Sequence, residues 1–304
     1  MEPLVSIGLC VRNGDEYLPG ALNSLLGQTY KNLELIISDN ASTDDTQKIC
    51  EEYATKDNRI RYIRQKENIG SLGNYDFVRK ETRGDYFMYA SNDDLWHPRF
   101  IEKCLAKFGD YPDAIIAFPN FCTFDDSGRI MKYEPRKYFP FSKNLYGRLK
   151  EYILSRSQYG KSTMIYGLWK KSSPADQIMM NQCKGDLIYM FQTLIAGYFA
   201  PVDETLFFKR LPVQYGENNK RPSLHHLTSL PTNHKYETVD DWIKTMRKGN
   251  RIKEFLNSRL QSAKCFHLYN KNIFRSSALT VGEKLKLSWW NFYMYLKSFW
   301  YGYL

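Results

Sequence analysis

Asp93 and Asp94 are adjacent carboxylates at the end of an apolar run, Tyr86-Phe87-Met88-Tyr89, that reads as a buried strand. Ser91-Asn92 leads into them, and Pro98 stands four residues past the second acid. Neighbouring negative charges where a core segment stops have two readings. They form a polar turn that caps the next helix, or they hold a divalent cation. Two more polar pairs close apolar runs in the same manner: Arg12-Asn13 after "LVSIGLCV" and Asp39-Asn40 after "NLELIIS". Asp186 opens "GDLIYMFQTLIAG", where a carboxylate either caps a helix or takes a proton from a reacting hydroxyl.

Such turns need a frame. The β-branched stretch 4–12 predicts a strand, and Leu18, Leu22, Leu25 and Leu26 predict a helix to about Gln28. "NLELIIS" is a second strand. The turn "DNASTDDT" leads into a helix that Ser42 or Thr43 is expected to cap, with Asp44 and Asp45 at its positive end. "RIRYIR", a helix after "ENIG", "DYFMYA", a helix from Pro98 to Lys107 and the strand "AIIAF" follow. This alternation to about residue 118 predicts an α/β fold with a parallel sheet and right-handed crossovers. Ligands of such sheets bind beyond the carboxyl ends of the strands, and all three polar turns fall on that edge.

Beyond residue 119 the pattern changes. A hairpin turning at Asp126-Ser127-Gly128 is expected, then a loop over 135–143 and a helix over 145–156. A strand near 163–169, a helix over 185–197 and a strand through "YFAPVDETLFFKR" come next. Residues 211–236 hold three prolines and read as a loop or lid, and the chain from Thr238 reads as helical. The expected division is a domain over 1–210, with halves 1–118 and 119–210, the loop 211–236, and a basic, aromatic-rich helical region over 237–304.

The order of these segments carries a resemblance. "VSIGLCVRNGDEYLPGALNSLLGQTYKNLELIISDNASTDDT", then "RIRYIRQKENIG" and "GDYFMYASNDDLWHP", resembles the nucleotide-binding half of a family 2 glycosyltransferase of GT-A fold. It runs through about residues 4–110 and continues weakly through "IYGLW" and "GDLIYMFQTLIAGYFAPVDETLFFKR". The resemblance implies a mixed, Rossmann-like sheet with a helical C-terminal extension. It also implies inverting, metal-dependent transfer of a sugar from a nucleoside-diphosphate-sugar to a hydroxyl of a glycan or glycolipid in cell-surface polysaccharide synthesis. By the resemblance Asp39 accepts an N–H of the base, Asn40 stands where the family usually has a second acid, and Arg64 and Asn68 lie near base and ribose. Cys10, Arg12 and Asn13 form the first turn, departing from the family's usual residues at Cys10 and Arg12, and Asn74 lies on the helix after the third strand. Ser91-Asn92-Asp93-Asp94 stands in place of Asp-x-Asp-Asp. Asp93 is then the direct ligand of Mg²⁺ or Mn²⁺ on the donor diphosphate, Asn92 helps bind the donor, and Asp94 is a second metal residue or a helix cap. Asp186 is the general base, with Gly185 in place of the usual Glu, or the cap of its helix.

Competing classes lack their signatures. There is no GxGxxG after the first strand and no GxxxxGK[ST], so dinucleotide and P-loop readings fail. The six cysteines form no CxxC pair, which suits reduced thiols, and the N-terminus shows no secretory signal. QxxRW and spanning helices, marks of processive synthases, are absent from the sequence, so addition of a single sugar or a short run is expected. A GT-A-like domain that only binds nucleotide-sugars, or scaffolds a membrane assembly, is the alternative. The net charge of +10 is concentrated in residues 205–304, with 17 Lys and Arg against 6 Asp and Glu. No nucleic-acid module accompanies that charge, so no nucleic-acid partner is expected. The tail, 283–304, mixes lysines with dense aromatics. It reads either as an in-plane anchor on an anionic membrane or as a helix docked on the protein's own core. The anchor reading places the protein in the cytoplasm, peripheral to the inner face of the plasma membrane.

Overall fold

A computed structural model describes residues 2–126, 128, 130–134, 141–155, 158–178, 185–211 and 251–301. The chain forms two compact units, Met1–Tyr152 with Tyr159–Val213, and Ile153–Gln158 with Gln214–Leu304.

The first unit begins with strictly alternating elements. They are β1 (Val5–Val11), α1 (Leu18–Leu26), β2 (Leu33–Asp39), α2 (Thr46–Lys56), β3 (Ile60–Arg64), α3 (Ser71–Glu81) and β4 (Tyr86–Ser91). A two-residue β5 (Leu95–Trp96), α4 (Phe100–Asp110), β6 (Ile116–Phe124) and β7 (Ile130–Glu134) follow. Then come α5 (Leu145–Leu154), α6 (Gln158–Thr163), β8 (Leu168–Lys170), α7 (Asp186–Ala196) and β9 (Phe199–Arg210). Val5, Ile7 and Leu9 of β1 and Leu35, Ile36 and Ile37 of β2 are wholly buried. Both faces of these strands are covered, which is why they read as continuous apolar runs. Each such side chain contributes roughly 1.5–3 kcal/mol.

Nine strands form one mixed sheet in the order β3-β2-β1-β4-β8-β6-β9-β5, with β7 beside β6. The pairs among β1 to β4 are parallel. The expectation of a simply continuing parallel sheet needs correction after β4. β8 runs antiparallel between β4 and β6, so "AIIAF" is one strand removed from the parallel set. The strand expected near 163–169 is mostly helix: α6, a 3₁₀ turn at Met164–Tyr166, and only then β8. The expected hairpin is present as β6 and β7. Its Ser127, the loop over 135–140 and the lid over 212–236 lie outside the described residues.

The second unit holds α8 (Arg251–Arg275) and α9 (Val281–Tyr301). Thr280 and Glu283 cap α9 reciprocally: Thr280 N–H donates to Glu283 Oε2 at 2.8 Å, and Glu283 N–H to Thr280 Oγ1 at 3.3 Å. The two helices pack antiparallel. Asn291 donates to the Phe266 carbonyl at 3.0 Å, and Ser288 Oγ to Asn270 Oδ1 at 3.0 Å.

Candidate active site

The turns after β1 and β2 are laced together by backbone amides. Asn13 N–H donates to Ser42 Oγ at 3.0 Å, Gly14 N–H to Thr46 Oγ1 at 3.0 Å and Asp15 N–H to Asp44 Oδ2 at 3.3 Å. Asn13 Oδ1 in return accepts Thr43 N–H at 2.8 Å. Ser42 and Thr43 therefore do not cap α2 as expected; their side chains face the neighbouring turn. Asp44 serves the helix instead, accepting Thr46 N–H at 3.1 Å. Its carboxyl is held below the usual range: burial would raise it, but the hydrogen bonds from Thr46 and Asp15 outweigh that. Asn13 and Ala41 adopt φ of 51° and 58°. Left-handed backbone at non-glycine residues is costly, and here one falls in each of the two laced turns.

Asp39 ends β2 as expected, and its carboxylate is 0% exposed. Oδ1 accepts Ser42 N–H at 2.8 Å and Oδ2 accepts the Tyr62 hydroxyl at 2.9 Å. Arg64 Nε lies 3.5 Å from Oδ2, and its side chain is 39% exposed, so a guanidinium forms the outer cover of this acid. The Tyr62 hydroxyl is pushed up by burial and by Asp39. Asn40 donates to Asn68 Oδ1 at 2.8 Å and accepts Ile69 N–H at 2.8 Å, tying this turn to the loop before α3. Asn74 is buried, exchanging bonds with Ser38 Oγ at 2.6 Å and its carbonyl at 3.0 Å. It lies inside the frame. Cys10 is partly exposed, its thiol pushed up by burial and by Asp76. Arg12 is exposed beside Asn13.

The turn after β4 is organised from a distance. Asp94 is wholly buried. It does not cap a helix: Oδ2 accepts Ser91 Oγ–H at 2.6 Å and Oδ1 accepts Arg210 N–H at 2.8 Å. Lys209 Nζ lies 3.6 Å from Oδ2. Burial nevertheless pushes the Asp94 carboxyl up to about 6, against the pull of Lys209. Burial alone would lower Lys209, but Asp94 and Asp93 together raise it. Arg210 Nε donates to the Asp93 carbonyl at 3.0 Å, and its NH1 lies 3.2 Å from Asp126 Oδ1. Its guanidinium sits 4.4 Å from the Tyr17 ring centre and 4.6 Å from that of Phe124. Lys209 and Arg210 escaped the sequence reading. The signal was two bases closing the apolar strand "LFFKR", the mirror of two acids closing β4. Gly14 completes this corner, because a Cβ there would lie 2.3 Å from Asn92 Nδ2. The Asp93 carboxylate is partly exposed and has no hydrogen bond or ion pair among the described residues.

Tyr166 borders this corner, with Lys209 Nζ 5.4 Å from its ring centre. The Tyr166 hydroxyl lies 3.1 Å from that of Tyr75. It is pushed up by burial, and the charges of Asp94, Asp93 and Asp186 all act on it. Asp186 itself follows Gly185, whose φ of 144° suits only glycine. Its Oδ1 accepts the Leu187 N–H at 2.8 Å at the start of α7.

The model of glycosyl transferase family 2 matches residues 6–167, more than half of the chain. The chain belongs to this family. An uncharacterized glycosyltransferase of Rickettsia conorii is 36% identical over 146 residues, 46% of this chain and 23% of that protein. The putative glycosyltransferase EpsH of Bacillus subtilis is 34% identical over 131 residues, 42% of this chain and 37% of that protein. The chain thus matches well under half the length of either relative. The crystal structure of S. aureus TarS in complex with UDP-GlcNAc superposes with a TM-score of 0.65 at 14% identity, covering 97% of this chain and 73% of that one. That likeness establishes the GT-A fold.

Divalent cations are typical of this family. Among the described residues no three His, Cys, Asp or Glu side chains cluster into a cage. One outward carboxylate, Asp93, stands beside an acid held inside the protein. That arrangement fits Mg²⁺ or Mn²⁺, which take one or two carboxylates and fill the rest of their shell with phosphate oxygens and water.

Proposed function

We propose that this chain is an inverting, metal-dependent glycosyltransferase, moving a sugar from a nucleoside-diphosphate-sugar to a hydroxyl of a glycan or glycolipid during cell-surface polysaccharide synthesis. The observation that supports this reading is the turn after β4, where Ser91, Lys209 and Arg210 hold Asp94 inside and Asp93 is left partly exposed. A metal-bound leaving group and a base must flank one sugar carbon, and Asp93 and Asp186 are assigned to those two roles.

In this reading Asp39 reads a base N–H through the oxygen that Arg64 covers, with Arg64 turning outward to admit it. Asn40, Asn68 and Asn74 hold the walls of the base site, while Arg12 and Asn13 face the donor from the first turn. Asp93 holds the cation, which when bound supplies positive charge against the departing diphosphate. Asp94, fixed by Ser91, Lys209 and Arg210, sets the direction of Asp93. The helix-start hydrogen bond from Leu187 orients Asp186, whose other oxygen takes the proton of the attacking acceptor hydroxyl. The region 120–175 shapes the acceptor site.

Asp186→Asn is expected to lower turnover by about 10²–10⁴-fold. Donor binding, followed by thermal shift with Mn²⁺, should persist. NMR of the product should show an anomeric configuration opposite to the donor's. Retained configuration, or near wild-type turnover of the Asn variant, would remove Asp186 as base.

A further inference from the structure

The lysines and aromatics of α9 divide in a way the sequence alone did not suggest. Ser288 and Asn291 point at α8 and bond to Asn270 and the Phe266 carbonyl. Leu287 is buried on the same side. The opposite arc carries Leu285, Trp289, Phe292, Tyr293 and Leu296, which are 39–58% exposed. Their spacing of three and four residues makes one continuous stripe. A soluble helix normally turns such a stripe inward; α9 turns its polar side inward and its aromatic side out.

We propose that this stripe is a docking face for an anionic phospholipid surface, with α9 lying in the plane of the headgroups. Three observations select lipid as the occupant. Trp289 and Tyr293 dominate the centre of the stripe, and these rings favour the boundary between headgroups and acyl chains. Lys286 is exposed at the edge of the same arc. The helical pair is strongly basic: residues 251–304 hold 9 Lys and Arg against 2 Asp and Glu, and Lys264, Lys271 and Arg275 are exposed along α8. Among the described residues no helix is long and apolar enough to cross a membrane. The one-sided stripe, with its other side bound to α8, fits lying on a bilayer.

The proposal draws on the glycosyl-transfer reading only for its use, which is to keep the site beside lipid-linked acceptors. Vesicle binding is measured without turnover, so either reading can fail while the other stands. The full chain should sediment with vesicles of phosphatidylcholine and phosphatidylglycerol, and weakly or not at all with phosphatidylcholine alone. Brominated lipid should quench its tryptophan fluorescence. Lys286→Gln should weaken binding about fivefold, the effect of one lysine near an anionic surface. Trp289→Ser with Phe292→Ser should abolish most of the binding while far-UV circular dichroism is unchanged. If that pair of changes disturbs the helices, the quenching and Lys286→Gln measurements on intact helices still decide. Equal sedimentation with both vesicle types, or no quenching, would overturn the proposal. So would a Trp289 variant that changes self-association and leaves vesicle binding intact, because the stripe would then join two copies of the chain.

Discussion

The turns after β2 and β4 each bury one carboxylate completely, and they neutralise it from opposite directions. Asp39 is met from within by Ser42 N–H and Tyr62, and from the solvent side by Arg64. Asp94 is met from within by everything: Ser91, the Arg210 amide and a Lys209 side chain that is only 16% exposed. A cover that faces solvent can swing away and be replaced by a ligand. A cover packed inside the protein cannot, so its acid acts as an anchor. Position in sequence does not separate these roles, since both acids stand at or just beyond the carboxyl end of a strand of one parallel set.

The sharpest break of this contrast is between neighbours. Asp94→Ala strands Lys209 as a buried, unpaired charge and should cost about 3–5 kcal/mol in urea unfolding. Asp93→Ala, at a partly exposed carboxylate, should change stability by less than about 0.5 kcal/mol and abolish metal-dependent turnover. Equal stability losses at the two positions would erase the distinction between anchor and ligand.

Asp39→Ala tests the other acid. It leaves Ser42 N–H and the Tyr62 hydroxyl unsatisfied, while Arg64 turns to water. A loss of roughly 1–3 kcal/mol is expected, together with weaker donor binding by titration calorimetry. Unchanged donor affinity would make Asp39 an anchor of the same kind as Asp94.

The smallest effect is in pH. The folded-state carboxyl of Asp94 sits near 6, above its unfolded value. The folded protein therefore takes up a proton that the unfolded chain does not, and the cost of the buried charge is relieved as pH falls through 6. Between pH 7 and pH 5 the wild type should gain about 1 kcal/mol relative to Asp94→Asn. Parallel urea midpoints for the two proteins would contradict the burial of an ionised Asp94.

β1, β2 and β4 were legible because both their faces are covered, and α1 because its apolar side is buried, whereas β3 is only half-buried. The two- and three-residue strands β5 and β8 were not, since so few residues carry no period. The candidate residues were legible as strand-ending polar turns, but their division into anchors and exposed groups was not. That division depends on Lys209 and Arg210, more than 110 residues away in the chain. The packing of the tail was not legible for a related reason. Ser288 and Asn291 bond to Asn270 and the Phe266 carbonyl, on a helix whose register the tail alone does not reveal.

The hold of Arg210 on the Asp93-Asp94 turn also fixes an order of events at the ribosome. Arg210 donates its amide to Asp94 across 116 residues of chain. At usual rates of synthesis the acids emerge roughly 6–20 s before the strand that restrains them. β1 to β4 and the helices between them have their parallel partners well before then, so a nascent chain reaches a stage with these strands paired and the Asp93-Asp94 turn still hydrated. Asp94 becomes a buried anchor only when the last residues of β9 arrive. A premature stop anywhere before Lys209 therefore yields a fragment in which Asp94 lacks both its Lys209 and its Arg210 contacts.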